Sequence, residues 1–148
     1  MQTKITKVDK SRPEIIEIQC HTITEEVQEI VAFVKSRQGQ LSCVADEKMY
    51  EVAISDILYI EIVDNKSFVY TQNDVYETKQ RLYELEEMLK EKRFIRISKS
   101  MLLNLMKVSS IKPALNSRFM AELISGEQVV ITRKYAADLK KALKGEKV

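Results

Sequence analysis

The residues best placed to do chemistry lie in Ser98-Lys99-Ser100, set between Phe94-Ile95-Arg96-Ile97 and Met101-Leu102-Leu103-Asn104. Phe94, Ile95 and Ile97 are aromatic or β-branched and suit a half-buried strand. An ammonium and two hydroxyls cannot be buried without partners, so the centre is expected to project as a polar, basic knuckle between two strands. Small hydroxyls beside a lysine allow close approach to a phosphate and leave the ammonium free to reach further. Two other polar stretches offer cations at loops. Asp64-Asn65-Lys66-Ser67 follows the apolar run Ile57–Val63, and Thr132-Arg133-Lys134 opens a C-terminal helix, where free backbone N–H groups favour an anion. Strands that bring these three loops to one end would present separated cations to a polyanion.

Charge distribution supports that reading more than the total does. The 148 residues carry a formal net charge of only +2. Residues 41–97 hold eight basic and twelve acidic residues, whereas residues 98–148 hold ten basic and four acidic. The positive field begins at the knuckle and runs to the C-terminus, the asymmetry expected when one end of a domain meets a polyanion, and equally of a solvated C-terminal helix with spare lysines.

Enzymatic chemistry finds little footing. His21 is the only histidine and reads as an exposed or hydrogen-bonded structural residue rather than a base. Three glycines, at 39, 126 and 145, are too scattered for a phosphate-cradling loop. Asp56, Glu61 and Asp64 fall on a strand and its ends and read as solvated rim carboxylates, since alternate strand residues point to opposite faces. No cofactor, metal or small-molecule substrate is expected. Cys20 and Cys43 lack metal-ligand spacing and sit in apolar, strand-like flanks; both are expected as reduced core residues of a cytoplasmic protein.

Three stretches carry a family resemblance. Phe94-x-Arg96-x-Ser98-Lys99-Ser100-x-x-x-Asn104 resembles the central signature of LytTR DNA-binding domains, Phe-x-Arg-x-His-Arg-Ser followed by an apolar pair and Asn. Thr132-Arg133-Lys134-Tyr135 resembles that family's Ser-Arg-Arg before a short terminal helix. Ile57-Leu58-Tyr59-Ile60-Glu61 with Asp64–Ser67 resembles its Ile-x-Tyr-Ile-Glu strand and polar loop. They occur in the family's order and span Val44 to Leu143. Ser98 replaces His and Lys99 replaces Arg, and a lysine lacks the bidentate fork that suits guanine.

The resemblance implies a mainly β fold with α, a stack of short antiparallel sheets reading double-stranded DNA from loops. It carries base contacts onto Lys99 and Arg133, with Lys66 or Ser67 from the first loop. Ser98, Ser100 and Lys134 suit phosphate. Arg96 either supports the knuckle or touches the DNA backbone, and Asn104 shapes a turn. The implied role is a stand-alone, cytoplasmic transcription regulator, 148 residues being too few for a receiver domain as well. Such regulators commonly occupy repeated half-sites, so residues 1–39 are expected to help pair two copies as a homodimer, and some such regulators are held in check by a membrane-bound inhibitor protein. The alternative is a protein-interaction module whose basic end is incidental.

The elements that must position these loops follow from pattern. Residues 1–39 read as a strand–strand–helix appendage, with strands over 3–8 and 14–20 around a turn at Asp9–Pro13. Thr22 and Glu25 fit a capping box for a helix whose apolar face is Ile23, Val27, Ile30, Val31 and Val34, stopped by Gly39. Residues 40–148 form the domain proper. Strands are expected over 41–45, 49–53, 57–63, 68–71 and 75–76, separated by Asp- and Asn-rich turns. A helix with Leu82, Leu85, Met88 and Leu89 on one face ends before Phe94. Hairpin strands 108–115 and 119–124 follow the knuckle. Gln128–Ile131 leads to a helix capped by Thr132, with Tyr135, Ala136, Leu139 and Leu143 inward.

Overall fold

The computed structural model describes residues 1–145. In chain order, α1 (Glu25–Arg37) is followed by β1 (Gln40–Ala45), β2 (Lys48–Ala53), β3 (Tyr59–Val63), β4 (Lys66–Tyr70), β5 (Val75–Thr78) and α2 (Leu82–Met88). Then come β6 (Phe94–Ser98), β7 (Met101–Asn104), β8 (Val108–Pro113), β9 (Phe119–Leu123), β10 (Gln128–Ile131) and α3 (Arg133–Leu143). A seven-stranded sheet runs β2-β1-β5-β4-β3-β7-β6, and a three-stranded sheet runs β10-β9-β8. The pairings in both sheets are antiparallel, as expected of a mainly β fold with α.

Turn chemistry explains the hairpins. Asp46 and Glu47 between β1 and β2, and Asp64 and Asn65 between β3 and β4, all take positive φ. Two consecutive left-handed residues make the tight turn whose twist matches paired strands. Pro113 is tolerated because β8 lies at the edge of its sheet.

Two cores lie on either side of the large sheet. One gathers Leu41, Ile57, Ile60, Val69, Leu102 and Phe94 under the α2 residues Leu82 and Leu85, with Leu89 just beyond that helix. The other gathers Tyr59, Ile95, Ile97 and Leu103 with Ala121 and Leu123 of β9, Ile131 of β10 and Leu139 of α3. Neighbouring residues on β3, β6 and β7 thus go to opposite cores, the period-two consequence of the pleat. Tyr59 and Tyr70 stack with ring centroids 4.5 Å apart, and the Tyr59 hydroxyl donates to Glu127 Oε2 at 2.8 Å, tying the small sheet to the large one. Burial, then the bond to Glu127, raise the Tyr59 pKa well above the usual phenol range.

Several sequence expectations are corrected. Residues 3–8 and 14–20 form no strands; residues 1–23 carry no helix or strand and are nearly all exposed. The α1 N-cap is Thr24, whose Oγ1 accepts from Val27 N at 3.2 Å, not Thr22; both threonines precede an acidic first turn, so spacing alone does not separate them. Ile23 and Val31 are exposed, and the buried residues of α1 are Val27, Ala32 and Ser36. The helix packs on β1, with Lys35 Nζ 2.6 Å from Glu51 Oε1 and 3.3 Å from Ser42 Oγ. Thr132 occupies the α3 N-cap position but makes no side-chain cap bond. Leu143, expected inward, is 55% exposed on the last turn of α3. Cys20 is exposed because the strand meant to bury it is not formed, while Cys43 is buried on β1.

Two outcomes follow from this packing. Asn104 is buried; its Nδ2 donates to Ile57 O at 2.8 Å and its Oδ1 accepts from Met106 N at 3.0 Å. Asn104→Ala leaves both partners unpaired and should cost about 1–3 kcal/mol, read as a lower urea midpoint with unchanged slope. Burial, followed by the nearby Glu51 charge, pushes the Cys43 thiol up to about 12. Alkylation at neutral pH should therefore modify Cys20 in the native protein and reach Cys43 only after unfolding.

Candidate nucleic-acid interface

Antiparallel pairing gathers the polar turns at one end of the large sheet. β3, β5 and β6 end there, and β4 and β7 begin there, so the turn 64–65, the exit of β5 and the knuckle are neighbours. The knuckle is short: Ser98 pairs with Met101, leaving Lys99 and Ser100 at its tip. Ser98 Oγ accepts from Ser100 N at 3.2 Å, so the hydroxyl folds the turn upon itself. Its own proton remains available to a further acceptor. A register shift between Arg96 and Ser98 marks a bulge immediately before the tip. Bulges re-aim the residues that follow them.

Two backbone contacts dock the loops side by side. Ile62 N donates to Ser100 O at 2.8 Å, holding the knuckle against β3 just before its turn. Thr132 N and Thr132 Oγ1 both donate to Ile97 O, at 2.9 and 3.2 Å, holding the start of α3 against β6 just before the knuckle. The Thr132 hydroxyl serves this seam rather than its own helix, which is why it does not cap.

The candidate residues separate by exposure. Lys66, Lys99, Arg133 and Lys134 are exposed at this end. Lys66 Nζ lies 3.8 Å from Glu77 Oε1, a loose surface pair, and Lys134 Nζ stands 5.6 Å from the Tyr135 ring centroid. Ser98 and Ser100 are half-buried. Ser67, offered as an alternative to Lys66, is turned inward: it is buried and its Oγ donates to Gln80 O at 2.8 Å. Strand alternation accounts for this, since β4 residues adjacent in sequence face opposite ways. Arg96 is half-buried beside the knuckle. Its Nη1 donates to Lys99 O at 3.2 Å, and its Nε lies 3.3 Å from Glu86 Oε1 as an ion pair without hydrogen-bond alignment. Arg96, on β6, thus links the knuckle tip at Lys99 to Glu86 of α2.

The sequence reading missed two cations at the same end. Ser67 pairs with Thr78, so the chain leaves β5 beside Lys66, and Lys79 and Arg81 that follow are exposed. The signal was available in the register: counting out from the Thr71–Asp74 turn, with Tyr70 opposite Val75, sets Thr78 opposite Ser67. The far end of the sheet has the opposite sign. A groove by the Thr71–Asp74 turn is lined by Glu51, Asp56 and Asp74 with Lys107 as its cation. Tyr59 and Phe94 are buried in the cores, as expected, and Tyr76 is half-buried against Tyr50, 5.3 Å between centroids. His21 is exposed in the N-terminal segment, away from any assigned element.

Comparison with known proteins agrees with this arrangement. Residues 47–144 match the model of the LytTr DNA-binding domain. The sensory transduction protein LytT of Bacillus anthracis is 34% identical over 113 residues, covering 76% of this chain and 46% of that protein. The chain thus spans about half the length of the LytT proteins it matches. A Staphylococcus aureus (strain MSSA476) protein named as an HTH-type transcriptional regulator is 26% identical over 136 residues, covering 90% of this chain and 92% of that protein. In this chain no two α-helices are consecutive among the described residues. A solved LytTr DNA-binding domain from Bacillus cereus superposes with a TM-score of 0.68 at 27% identity, covering 71% of this chain and 96% of that one. The signature stretches, the paired sheets and these matches coincide on the same residues, and the chain belongs to the LytTR DNA-binding domain family.

Proposed function

We propose that this chain is a cytoplasmic transcription regulator that reads a specific double-stranded DNA site through the three docked loops. The observation that carries the reading is the joint docking of the knuckle on Ile62 and of the α3 start on Ile97, which sets Lys66, Lys99 and Arg133 along one end of the sheet. Separated cations on rigid strand ends suit successive grooves of a duplex, whereas single-strand binding wants exposed aromatics beside the cations. Arg133 presents a fork able to bond guanine twice; Lys99 presents a point charge. Lys134, Ser98 and Ser100 contact phosphate, and the first-turn N–H groups of α3 add a fixed anion-binding dipole. Lys79 and Arg81 extend the phosphate contacts beyond Lys66.

Competition binding against single-base variants of the site tests these roles. Arg133→Ala should cost about 1–3 kcal/mol on the specific site and relax the preference at one position. Lys99→Ala should weaken binding with less change in preference. Lys134→Ala, and Lys79→Ala with Arg81→Ala, should weaken specific and random duplexes alike. An Arg133→Ala protein that keeps every base preference, beside a Lys134→Ala protein that loses one, would contradict the assignment.

Salt dependence separates contact from support. Wild-type affinity should fall at least about 10-fold between low and physiological ionic strength. Each phosphate-contacting lysine removed should lower the slope of log affinity against log salt by about 1. Arg96→Ala should weaken binding without lowering that slope, because Arg96 acts on the knuckle and not on DNA. A slope reduced as in Lys134→Ala would make Arg96 a phosphate contact instead.

A further inference from the structure

Residues 1–23 form an arm that the rest of the fold does not use. The arm has no helix or strand, and among the described residues its backbone donors find acceptors only at one turn, where Arg12 N reaches Asp9 O and Ser11 N reaches Asp9 Oδ1, each at 2.9 Å. The segments on either side of this turn do not pair with each other, and Pro13 removes a donor immediately after it. Four of its five isoleucines stand in water, Ile5 at 97% exposed, Ile15 72%, Ile16 70% and Ile23 74%, while Ile18 is half-buried; α1 adds Phe33 at 54%. Single exposed apolar residues are ordinary, but this many along one continuous segment mark an interaction surface.

Charge along the arm says what covers it. Residues 1–12 carry Lys4, Lys7, Lys10 and Arg12 against the lone Asp9. Residues 13–30 carry Glu14, Glu17, Glu25, Glu26 and Glu29 and no lysine or arginine. In a twofold pair, a residue of one copy that meets a second residue of its partner is matched by the reverse contact. An antiparallel crossing therefore lays each basic half along the other copy's acidic half, while an in-register parallel crossing sets like charges together and is disfavoured.

We propose that the chain pairs with a second copy by exchanging these arms, residues 3–8 of one copy running antiparallel to residues 14–20 of the other. The exchange satisfies the unpaired backbone groups of both segments and sets Ile5 of each copy against Ile16 of the other, shielding both from water. Lys4 and Lys7 then face Glu14 and Glu17 across the pair. The inference rests on the arm and not on the reading of the DNA end, and it is tested without DNA.

The experiment combines light scattering with amide hydrogen exchange on the full chain. The wild-type protein is expected to have twice the chain mass at micromolar concentration, with slow exchange over residues 14–20. Ile15→Glu with Ile16→Glu should give the single-chain mass, an unchanged circular dichroism spectrum and fast exchange over the same residues. Lys4→Glu with Lys7→Glu should weaken the pair at least about 10-fold by placing like charges opposite one another, and adding Glu14→Lys with Glu17→Lys should restore it. A wild-type protein that stays at single-chain mass overturns the proposal. So does a pair that survives Ile15→Glu with Ile16→Glu, a charge exchange that fails to restore pairing, or protection of residues 14–20 that appears only when a different protein, soluble or membrane-bound, is added.

Discussion

The register of β3 against β7 is the constraint on which the polar end depends. Tyr59 faces Leu103 and Ile60 faces Leu102. Ile60 and Leu102 go to the core under α2, and Tyr59 and Leu103 go to the core under the small sheet. Slipping either strand by one residue would send every one of these side chains to the wrong face. Ile60, Leu102 and Leu103 are each 0% exposed, and burying one such side chain is worth about 1.5–3 kcal/mol, so the slip is prohibitive. The same register sets Glu61 opposite Met101 and brings Ile62 N to Ser100 O. The knuckle is thus placed by two hydrophobic cores acting through one strand pair, and the Ile62 N–Ser100 O bond docks its tip on that pair.

That arrangement divides labour between backbone and side chains. Backbone bonds at Ile62 and Thr132 fix where the loops stand, and Ser98, Arg96 and Glu86 fix the shape of the tip. The side-chain cations Lys66, Lys99, Arg133 and Lys134 stay exposed, Lys66 and Lys134 holding only loose surface contacts with Glu77 and Tyr135. Tethering the loops before binding reduces the ordering cost that a flexible basic segment would incur. Ser98 in the family's histidine position fits this plan, since its small hydroxyl closes the turn within the knuckle.

Much of the domain was legible because its signals are local. Asp64-Asn65 demands a tight turn, Leu82, Leu85 and Leu89 recur at helical spacing, and Phe94, Ile95 and Ile97 can only be strand residues beside a polar break. The order of the three signature stretches carried the family. What sequence could not show depended on partners distant along the chain. Ser67 and Lys66 are equally polar, and only pairing with β5 sends one inward. Thr132 has the composition of a cap, yet Ile97 O takes its hydroxyl. Lys79 and Arg81 lie far from the signatures and join the polar end through the β4–β5 ladder. Residues 14–20 have strand composition, but a strand needs a neighbour, and this chain alone supplies none.

Amide chemical-shift mapping on addition of a duplex carrying the cognate site tests the central claim most directly. The account predicts that shifts concentrate at residues 64–66, 79–81, 98–100 and 132–134, and that Ile62 and Ile97 move with the loops docked on them. Shifts centred instead on α1, or on the acidic groove beside the Thr71–Asp74 turn, with the four polar segments unchanged, would contradict it.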